Sequence, residues 1–552
     1  MVSTKAATVQ SINPATRELL GEVPVMGQTQ VDEAVKRAWA AYEDWQLLDY
    51  NQRAKLILKL RRVISRNADS LAEMISKEVG KPLSESYATE LNGPLDTCVW
   101  LSDNADRLLR DQMVMLSNPL LSTKQNVISF EPLGVVGIIA PWNFPFSIPV
   151  MTMAMALMVG NTVVLKPSEK SSLIGIRIGE LFEEAGFPKG VVQVITGDRS
   201  TGKYLSESRL SKLIFTGSYE GGRKVMEQAS ANVTPVSLEL GGKDAAIILP
   251  DAPVEWTAKA IAWGAFTNAG QACASIERVY ILKGKRTEKM IEAIVAEAQK
   301  LKVGPYTDST SDIGPVIDAG QLDKIISQVE QAKEAGAKVL TGGRKPDGLP
   351  GFFYEPTVLT NVNHSMAVMR EETFGPVLPI MVIENEDEAV DLANDSEFGL
   401  CASVWGKNLK RAENIARDLQ VGTVTINDCL FTHAAPQLPW GGLKKSGFGR
   451  SHSQFGLIDL VNIKHINIDA PGTSKLWWYP YGNNRMRTLR GGIQLFHGSL
   501  SSKIKGFFEF LANMFKNPKA GESLKQSGSS KPSDDVRPSD KRSSDSSLRD
   551  TD

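Results

Sequence analysis

Apolar residues recur every three to four positions across residues 31–117, with charged residues between them. The spacing is clear in Val31–Trp39 and in Ala54–Ile64. It predicts amphipathic helices, because positions three and four apart lie on one face of a helix. A proline after Lys81 closes one of these helices, and Asn92–Pro94 interrupts the next.

Beyond residue 130 the pattern changes to short, continuous apolar runs that alternate with helical segments. Such runs predict strands buried on both faces, as in a parallel sheet with helices on either side. The predicted strands are 134–140, 162–166, 191–195 and 212–216, followed by 245–249, 278–282, 377–382 and 422–427. The predicted helices are 171–185, 202–208, 287–300, 321–335 and 386–395. The sequence therefore predicts an α/β fold with two open, twisted αβα domains.

Two further runs, 120–131 and 457–468, are typical of strands that leave the domain bodies. Taken from the sequence alone they are edge strands, which need cover from another element or chain. The predicted organisation is a first domain over 1–118 and 134–241, a second over 242–456, linking strands at 119–133 and 457–469, an extension at 470–519 and a tail at 520–552. The tail is rich in Ser, Lys and Asp, and we expect it to be disordered.

Length and charge limit the classes of function. A chain of 552 residues is expected to fold as roughly three to four units. Its 62 Lys and Arg nearly balance its 63 Asp and Glu, so no overall field favours a polyanion, and nucleic acid is not an expected partner. With 42% hydrophobic and 23% charged residues, the composition is that of an ordinary globular protein.

Cysteine and histidine usage argues against a metal site. The four cysteines are scattered without ligand spacing, and the five histidines do not cluster with them. We predict no metal, no disulfide framework and a reducing compartment, the cytoplasm. The N-terminus lacks the apolar run of a signal peptide. The uncharged stretch 132–165 contains Pro141, Pro145 and Pro149, so we predict a buried strand, loop and helix there rather than a membrane span.

Three side chains supply the parts needed for covalent catalysis at a carbonyl group. Cys273 lies in Phe266–Arg278 behind a Gly-Gln step and among small neighbours, which leave a thiol accessible. Glu239 lies in an apolar run stopped by two glycines, and Asn143 lies between two prolines. Thiol, carboxylate and amide are a nucleophile, a base and an oxyanion donor. Taken singly, Cys273 is better explained as a packed cysteine, Glu239 as a strand end and Asn143 as part of a rigid turn. The hypothesis of covalent catalysis therefore rests on the three residues together.

The other cysteines are the alternative nucleophiles. Cys98 lies in a helical pattern, and Cys401 lies in a strand-like run. Cys429 lies in a loop near the expected substrate mouth and is a candidate to line it. We favour Cys273 over all three.

Six motifs, in order, resemble those of the NAD(P)-dependent aldehyde dehydrogenases: P-W-N-F-P, K-P-S-E, F-T-G-S, L-E-L-G-G-K, G-Q-A-C and E-E-T-F-G-P-V. The similarity extends from about residue 13 to about residue 468 and leaves the C-terminal extension outside. The resemblance implies that the first domain binds the cofactor and that the second is catalytic. It also implies that the linking strands form the oligomerisation sheet of a homodimer or homotetramer.

The resemblance further implies which residues bind the adenosine half of the cofactor. Gly217 and Ser218 would open the helix that holds the pyrophosphate, although by themselves they indicate only a helix cap, and the fingerprint G-x-G-x-x-G is absent. Lys166 and Glu169 would bind the adenosine ribose hydroxyls. Because a carboxylate at this position repels a 2′-phosphate, we favour NAD, with NADP as the alternative.

On the nicotinamide side, the resemblance implies that Glu372 holds the ribose and that Phe374 packs nearby. Taken alone, the pair Glu371 and Glu372 would be a solvated turn before Gly-Pro. The remaining residues of the implied cofactor site are Trp142, Gly202, Gly222 and Leu240.

The reaction implied by the resemblance begins with attack of the Cys273 thiolate on an aldehyde. The thiohemiacetal oxyanion would be met by the Asn143 amide and the Cys273 backbone N–H. Hydride transfer to the nicotinamide leaves a thioester, and Glu239 activates the water that releases the acid. Two alternatives stay open: transfer of the acyl group to coenzyme A, which relatives without such a base carry out, and a non-catalytic scaffold or membrane-associated binding protein.

Apolar residues around the site favour an apolar, medium- or long-chain aldehyde. They are Phe144, Phe146, Ile148, Val150, Met151, Leu430 and Phe431. In the extension, residues 501–516 carry apolar residues at helical spacing with flanking lysines. This indicates either an interfacial membrane helix or a helix packed on its own domain or over a neighbouring subunit's substrate entrance. The extension is similar in kind to those of the fatty-aldehyde branch of the family, which favours a long chain.

Overall fold

The computed structural model describes residues 7–118, 121, 123–469, 471, 475–479 and 481–514. The chain divides into two compact units, the first over Met1–Ser117 and Gln125–Asn467, the second over Asn118–Lys124 and Ile468–Asp552. The tail that we expect to be disordered, 520–552, lies outside the described residues. Among the helices that are described, none is both long and apolar enough to cross a membrane.

The first half of the chain contains two groups of helices around a set of short strands. Its strands are β1 (Thr8–Ile12), β2 (Leu19–Pro24), β3 (Gln112–Val114), β4 (Gln125–Pro132), β5 (Val135–Ile139), β6 (Thr162–Lys166), β7 (Val192–Val194), β8 (Lys212–Thr216) and β9 (Val236–Glu239). Its helices are α1 (Gln28–Trp45), α2 (Tyr50–Arg66), α3 (Ala68–Val79), α4 (Leu83–Glu85), α5 (Asn92–Leu108), α6 (Ser147–Met158), α7 (Ser172–Glu184), α8 (Arg199–Glu207) and α9 (Tyr219–Ala229). A π-helical turn, Ser86–Leu91, joins α4 to α5.

The second half repeats the alternation of strands and helices. Its strands are β10 (Asp244–Ile248), β11 (Ile276–Leu282), β12 (Lys338–Thr341), β13 (Thr357–Thr360), β14 (Val377–Ile383), β15 (Phe398–Gly399), β16 (Cys401–Trp405), β17 (Thr423–Ile426), β18 (Leu443–Lys444), β19 (Gly447–Phe448) and β20 (Val461–Ile468). Its helices are α10 (Val254–Phe266), α11 (Thr287–Lys300), α12 (Ala319–Glu334), α13 (Ala367–Arg370), α14 (Glu386–Asn394), α15 (Leu409–Asp418), α16 (Ser453–Ile458), α17 (Asn483–His497) and α18 (Leu500–Met514).

The first large sheet has the order β19-β9-β8-β5-β6-β7. Its neighbouring strands are parallel except β19, which is antiparallel to β9. After β5 the chain passes to β6 and β7 on one side, then returns to β8 and β9 on the other. A sheet wound in this way leaves a crevice at its carboxyl edge where the strand order reverses, which is here between β5 and β8.

The second large sheet has the order β12-β13-β14-β11-β10-β16-β17. Only the edge pair β12 and β13 is antiparallel among its described pairings. Strand β11 is buried along its whole length, as expected for a strand covered on both faces. The uncharged stretch 132–165 forms the buried elements β5, α6 and β6. The predicted α/β fold class is confirmed.

Three of the differences from the sequence prediction involve exposed strands. The N-terminal helical region ends at Leu108, and β3 follows with all three of its residues exposed. Strands β1 and β2 form an antiparallel hairpin that the periodicity does not reveal. Leu457 lies in α16 rather than in a strand, so the second linking strand begins only at Val461. Strands β1, β2, β3 and β20 bury at most one residue each, so they carry no clear alternation of apolar and polar residues, and the apolar pattern misplaces them.

The second unit contains a helical hairpin formed by α17 and α18. Gly491 and Gly506 allow the two helices to cross closely: a Cβ on Gly491 would lie 2.7 Å from the Phe510 backbone nitrogen, and one on Gly506 would lie 2.6 Å from that of Leu495. Asp469 pairs with both Lys124, at 3.0 Å, and Lys475, at 2.7 Å. The hairpin is thus a packed element with its own close contacts.

Candidate active site

The predicted site residues converge where the two large sheets meet within the first unit. Asn143, Lys166, Ser218 and Glu239 lie at or just beyond the carboxyl ends of β5, β6, β8 and β9 respectively. Cys273 lies just before the amino end of β11, in the other sheet. The carboxyl edge of a doubly wound sheet is where such folds place their ligands.

The loop that carries Cys273 is a tight left-handed turn. Asn268 and Ala269 have φ values of 54° and 55°, and Gly270 follows at 72°. A Cβ on Gly270 would lie 2.1 Å from the carbonyl oxygen of Gly375, so only glycine fits this position. The close contact fixes the cysteine loop against the loop that contains Gly375, and Cys273 itself is half-buried.

Asn143 is hydrogen-bonded to the same cysteine loop. Its Nδ2 donates to the carbonyl oxygen of Gln271 at 3.1 Å, two residues before Cys273. Its own carbonyl oxygen accepts from Asn268 Nδ2 at 3.0 Å and from Lys81 Nζ at 2.9 Å. These bonds hold the amide next to the thiol-bearing turn.

A buried ion pair supports this arrangement and was not found by sequence reasoning. Lys81 and Glu90 are both fully buried and pair at 2.6 Å. Glu90 lies in the π-helical turn, and its second oxygen accepts from the backbone N–H groups of Phe146 and Ser147. Single π-turns often mark functional sites, but the chain gives no local sign of one here.

One small cavity, about 30 Å³ in volume, is lined by both Cys273 and Glu239. Its lining residues are Ile148, Thr152, Ile214, Thr216, Glu239, Leu240, Cys273, His433, Trp440, Ser451 and His452. Glu239 is the residue among them whose charge changes near neutral pH, since burial raises its pKa to about 8 and lowers the pKa of both histidines, that of His433 to about 4. The cavity is otherwise neutral and largely apolar.

Burial dominates the electrostatics of the site. It raises the pKa of the Cys273 thiol well above its usual range, and the nearby carboxylates of Asp244, Glu239 and Glu372 raise it further. Burial also raises the pKa of Glu239 to about 8, against the lowering influence of Arg450 and of a 3.4 Å hydrogen bond donated by Ser451. The resting site therefore holds Cys273 as a neutral thiol and Glu239 as a carboxyl group that titrates just above neutral pH.

The other three cysteines are not among the lining residues of the cavity that holds Cys273 and Glu239. Cys98 is buried in a helical core, as its pattern predicts. Cys401 begins β16, packs with Cys273 around Trp440, and has its backbone N–H bonded to Asp244 Oδ1 at 3.0 Å. Cys429, a candidate to line the substrate mouth, is buried in the core of the second sheet. Burial raises the pKa of Cys98 and of Cys429 to about 12.

The apolar residues assigned to the substrate mouth also divide into two groups. Ile148 lines the cavity, and Leu430 packs with Cys273 around the cluster that contains Trp440. Phe146 and Val150 belong to the core of the first sheet instead. They lie at or within α6, where eleven of twelve residues are buried, so their apolar character reflects packing.

The phosphate-side features fit a dinucleotide. Ser218 caps α9, and its Oγ accepts from the Gly221 backbone N–H at 3.2 Å. A Cβ on Gly217 would lie 2.7 Å from the Phe215 ring, and one on Gly222 would lie 2.6 Å from Leu240. The glycines therefore let the strand, the helix and Leu240 approach closely. The helix N-terminus presents the unhindered backbone amides that a pyrophosphate requires.

On the adenosine side, Lys166 and Glu169 lie next to each other after β6. Lys166 Nζ and Glu169 Oε2 are 3.4 Å apart, and Lys166 is almost fully buried while Glu169 is partly exposed. Burial lowers the pKa of Lys166, and the carboxylates of Glu169 and of Asp198, which caps α8, oppose that lowering. Gly202 lies in α8, where an added Cβ would meet open space, so the structure leaves room on this side of the pair.

On the nicotinamide side, the loop after α13 reaches back to the two glycines that follow Glu239. Glu372 Oε1 accepts from the Gly242 backbone N–H at 3.0 Å. A Cβ on Gly241 would lie 2.3 Å from the same oxygen. Burial raises the pKa of Glu372 to about 7, and the neighbouring Glu277 contributes. Phe374 packs edge-on against Trp142, with ring centroids 5.5 Å apart.

Glu277 positions this loop and was not singled out from the sequence. It accepts from the backbone N–H groups of Thr373 at 2.7 Å and Phe374 at 2.8 Å, and it pairs with Lys243 at 2.7 Å. Glu277 is the second residue of β11, a strand that is buried on both faces. Such a strand shows no alternation of apolar and polar residues, so the sequence does not reveal that this glutamate is buried. The cradle formed by these residues fits a nicotinamide dinucleotide.

Comparison with known proteins agrees with the geometry. A sequence model described as the aldehyde dehydrogenase family matches residues 1–466. The chain is 36% identical to a 4,4'-diapolycopene aldehyde oxidase from Methylomonas sp, over 90% of this chain and 93% of that protein. It is also 36% identical to the betaine aldehyde dehydrogenase of Bacillus subtilis (strain 168), over 86% of this chain and 97% of that one.

Solved structures show the same fold. The aldehyde dehydrogenase of Mycobacterium tuberculosis, determined in complex with NAD+, superposes with a TM-score of 0.80 at 32% identity, covering 85% of this chain and 96% of that chain. The family match spans both large sheets and every predicted site residue. This chain belongs to the aldehyde dehydrogenase family.

Proposed function

We propose that the protein oxidises an aldehyde to the carboxylic acid with NAD, through a thioester on Cys273. The observation that carries the proposal is the single cavity that contains both Cys273 and Glu239. Asn143 is tied by its amide to the cysteine loop, so nucleophile, base and oxyanion donor occupy one site. A thiol attack followed by hydrolysis needs these three groups.

Each group has a distinct role in this proposal. Cys273 Sγ attacks the aldehyde carbon, and the Asn143 amide with the Cys273 backbone N–H stabilises the developing oxyanion. When bound, NAD supplies the acceptor for the hydride that leaves the thiohemiacetal. Glu239 then takes a proton from the water that hydrolyses the thioester. A pKa of about 8 for Glu239 suits a base that works near neutral pH.

We assign the cofactor contacts as the resemblance implies. Ser218 and the start of α9 hold the pyrophosphate, and Lys166 with Glu169 holds the adenosine ribose. Glu372 holds the nicotinamide ribose beside Phe374 and Trp142. The partly exposed Glu169 carboxylate repels a 2′-phosphate, so we propose NAD in preference to NADP.

The substrate proposed here is an apolar, medium- or long-chain aldehyde. The described lining of the cavity holds no Arg or Lys to pair with a second carboxylate. The aldehyde oxidase from Methylomonas sp, whose name specifies a diapolycopene aldehyde, aligns over 90% of this chain. The betaine aldehyde dehydrogenase of Bacillus subtilis is named for a cationic substrate, so relatives of similar identity differ in the aldehydes that they are named for.

The test is formation of reduced cofactor from aldehydes that range from acetaldehyde to long-chain and polyene aldehydes, with NAD and with NADP. We expect kcat/KM to rise with chain length, because each buried methylene contributes about 0.8 kcal/mol, and to be higher with NAD. No reduced cofactor from any aldehyde would overturn the dehydrogenase proposal. Activity restricted to short or charged aldehydes would overturn the apolar substrate alone.

The alternative product is an acyl group on coenzyme A. The presence of Glu239 in the cavity with Cys273 favours hydrolysis, because transfer to coenzyme A does not need a base for water. Product analysis with and without coenzyme A separates the two: we expect free acid in both cases. Thioester product that forms only with coenzyme A would replace the hydrolytic proposal.

We also propose that the C-terminal hairpin contacts a membrane surface. On α18, Leu500, Ile504, Phe507, Phe508 and Leu511 are exposed, and their spacing places them on one face of the helix. Residues 475–514 hold six Lys and Arg against one Glu. An apolar face flanked by cations is suited to an anionic lipid interface. The last two residues of the predicted segment, 515–516, lie outside the described residues.

Vesicle sedimentation tests the membrane contact. We expect the full chain to bind vesicles that contain phosphatidylserine and a truncation after Ile468 to stay in solution. The paired change Ile504→Asp and Phe508→Asp should abolish binding, and Lys503→Gln with Lys505→Gln should weaken it only for anionic vesicles. If the full chain binds no vesicles but truncation lowers its aldehyde oxidation, the extension covers the substrate entrance instead of contacting a membrane.

We propose that the linking strands mediate assembly into a homodimer or homotetramer. The linking strands β4 and β20 join β3 in a three-stranded sheet of order β20-β4-β3. The edge strand β20 exposes Ile463, Ile466 and Ile468 along its length. An exposed apolar edge strand requires cover, and a second copy of the same strand supplies it.

A further inference from the structure

The cavity that holds Cys273 and Glu239 also contains an imidazole that the proposed reaction has not used. His452 is 3% exposed and lines this cavity. Its Nδ1 is buried and has no hydrogen-bond partner among the described residues. Buried polar nitrogens are almost always bonded to protein or to ordered water, so this nitrogen points to a small polar ligand in the cavity.

A second orphaned atom belongs to another lining residue of the same cavity. Glu239 Oε2 is buried and accepts no well-aligned hydrogen bond from the described residues, although the Trp440 side chain lies close enough to the carboxyl group to lower its pKa, whereas Oε1 accepts from Ser451 Oγ at 3.4 Å. Ser451 directly precedes His452, and two backbone hydrogen bonds of 2.8 Å tie Ser451 to Trp440. The carboxylate and the imidazole are therefore held by one short segment.

The geometry of that segment is fixed and unusual. His452 and Ser453 have φ values of 63° and 55°, a left-handed conformation that costs about 1 kcal/mol or more for residues other than glycine. The His452 ring packs edge-on against His433, with centroids 5.0 Å apart, and His433 packs in the same way on Trp440. The stack holds the imidazole in one orientation.

We propose that Glu239 Oε2 and His452 Nδ1 together hold the water that hydrolyses the Cys273 thioester, which makes His452 a positioning residue for deacylation. Each atom accepts one hydrogen of the water, so the oxygen lone pairs are directed at the acyl carbon. A neutral imidazole has the lone pair that this requires, and burial together with the neighbouring His433 keeps the pKa of His452 well below its usual value. The cavity, at about 30 Å³, exceeds the roughly 10–15 Å³ that one water molecule needs.

The step balances without an oxidant or a cofactor. Water oxygen forms a bond to the acyl carbon while Glu239 takes one water proton. The carbon–sulfur bond then breaks, the carboxylic acid leaves, and the thiolate regains a proton from Glu239. His452 neither gains nor loses a proton overall.

The test compares two substitutions of the same shape at one position. His452→Asn keeps an acceptor oxygen near the position of Nδ1, whereas His452→Leu has the same outline without a polar atom. We expect His452→Leu to slow steady-state turnover by up to about 100-fold, the scale of a misplaced reactant. The first-turnover burst of NADH should keep its rate and amplitude, and the acyl-enzyme should accumulate, as seen by intact-protein mass spectrometry. His452→Asn should restore most of the turnover.

Counting active sites by burst amplitude separates this role from a folding defect, because misfolded protein lowers the amplitude but not the rate per site. The proposal is overturned if His452→Leu slows the burst as much as the turnover, if it slows neither, or if Asn and Leu behave alike.

This inference rests on the proposed function, so one arm avoids the cofactor. The ester p-nitrophenyl acetate acylates a thiol directly and releases p-nitrophenolate, after which the same water must hydrolyse the acetyl-enzyme. A burst of p-nitrophenolate followed by slow turnover in His452→Leu, but not in His452→Asn, supports the water site even if no aldehyde is oxidised. A normal burst with unchanged turnover in both variants overturns the water site and leaves the dehydrogenase proposal intact.

Discussion

Replacing Cys273 with alanine abolishes aldehyde oxidation in our proposal, with kcat falling on the order of 10⁴-fold or more, the scale seen when a covalent nucleophile is removed. The physical reason is that no other thiol reaches the cavity that holds Glu239: within the described residues, Cys273 is the cysteine among its lining residues. The measurement is NADH formation under saturating aldehyde and NAD. Cys273 is half-buried and small, so the thermal midpoint should change little.

The matched controls are Cys401→Ala and Cys429→Ala. Cys401 is the sharper of the two, because it packs in the same cluster as Cys273 around Trp440. Burial, with Asp244 adding to it, raises the pKa of Cys401 well above its usual range, so it stays a thiol. Both controls should retain most of the activity. A loss in Cys401→Ala equal to that in Cys273→Ala would contradict the assignment of the nucleophile.

Local signals account for the parts of the site that the sequence predicted. Glu239, Asn143 and Ser218 all follow apolar strands and precede glycine or proline, and the ends of parallel strands gather at one edge of a sheet. Cys273 follows Gly270, whose left-handed φ of 72° and contact with Gly375 leave no alternative to glycine. Each of these strand ends and turns is formed by three to six consecutive residues, so it can be recognised in a single sequence.

The supporting residues could not be predicted, because their partners are distant along the chain. Glu90 bonds the backbone of residues 146 and 147, and Glu277 bonds the backbone of residues 373 and 374. In the sequence both look like ordinary charged residues, which are mostly exposed. Only the fold shows that they are buried and that each satisfies two backbone N–H groups of a site loop.

The same reason explains why the sequence could not reveal the burial of Cys429 and Phe146. A cysteine in a loop and a phenylalanine near a catalytic motif are consistent with a pocket, but Cys429 and Phe146 are buried in the cores of the two sheets. Burial also sets the acid–base properties of the site. No residue near Cys273 in the sequence suggests three carboxylates around the thiol, yet Asp244, Glu239 and Glu372 all raise its pKa.

Replacing Glu239 with glutamine separates the two halves of the reaction. Glutamine keeps the shape and an acceptor for the Ser451 hydroxyl but cannot take a proton from water. We expect the first-turnover burst of NADH to persist at about one equivalent per active site, while steady-state turnover falls by roughly 10²- to 10⁴-fold, the contribution of a general base. Rapid-mixing absorbance measures both phases. Loss of the burst together with turnover would assign Glu239 to thiol activation instead.

The pH dependence gives this prediction a second and independent check. Burial raises the pKa of Glu239 to about 8, so the wild-type turnover should rise with pH until the carboxylate forms above pH 8, and the glutamine variant should lose that rise. The folded pKa lies above the ordinary value of 4.5, so the stability that this group contributes is full below pH 4.5 and is lost as the pH rises through 8. Thermal unfolding should therefore show the variant gaining stability relative to wild type between pH 5 and 9. A wild-type protein whose turnover and stability are both flat across pH 8 would contradict a buried, titrating Glu239, because the same proton governs the two measurements.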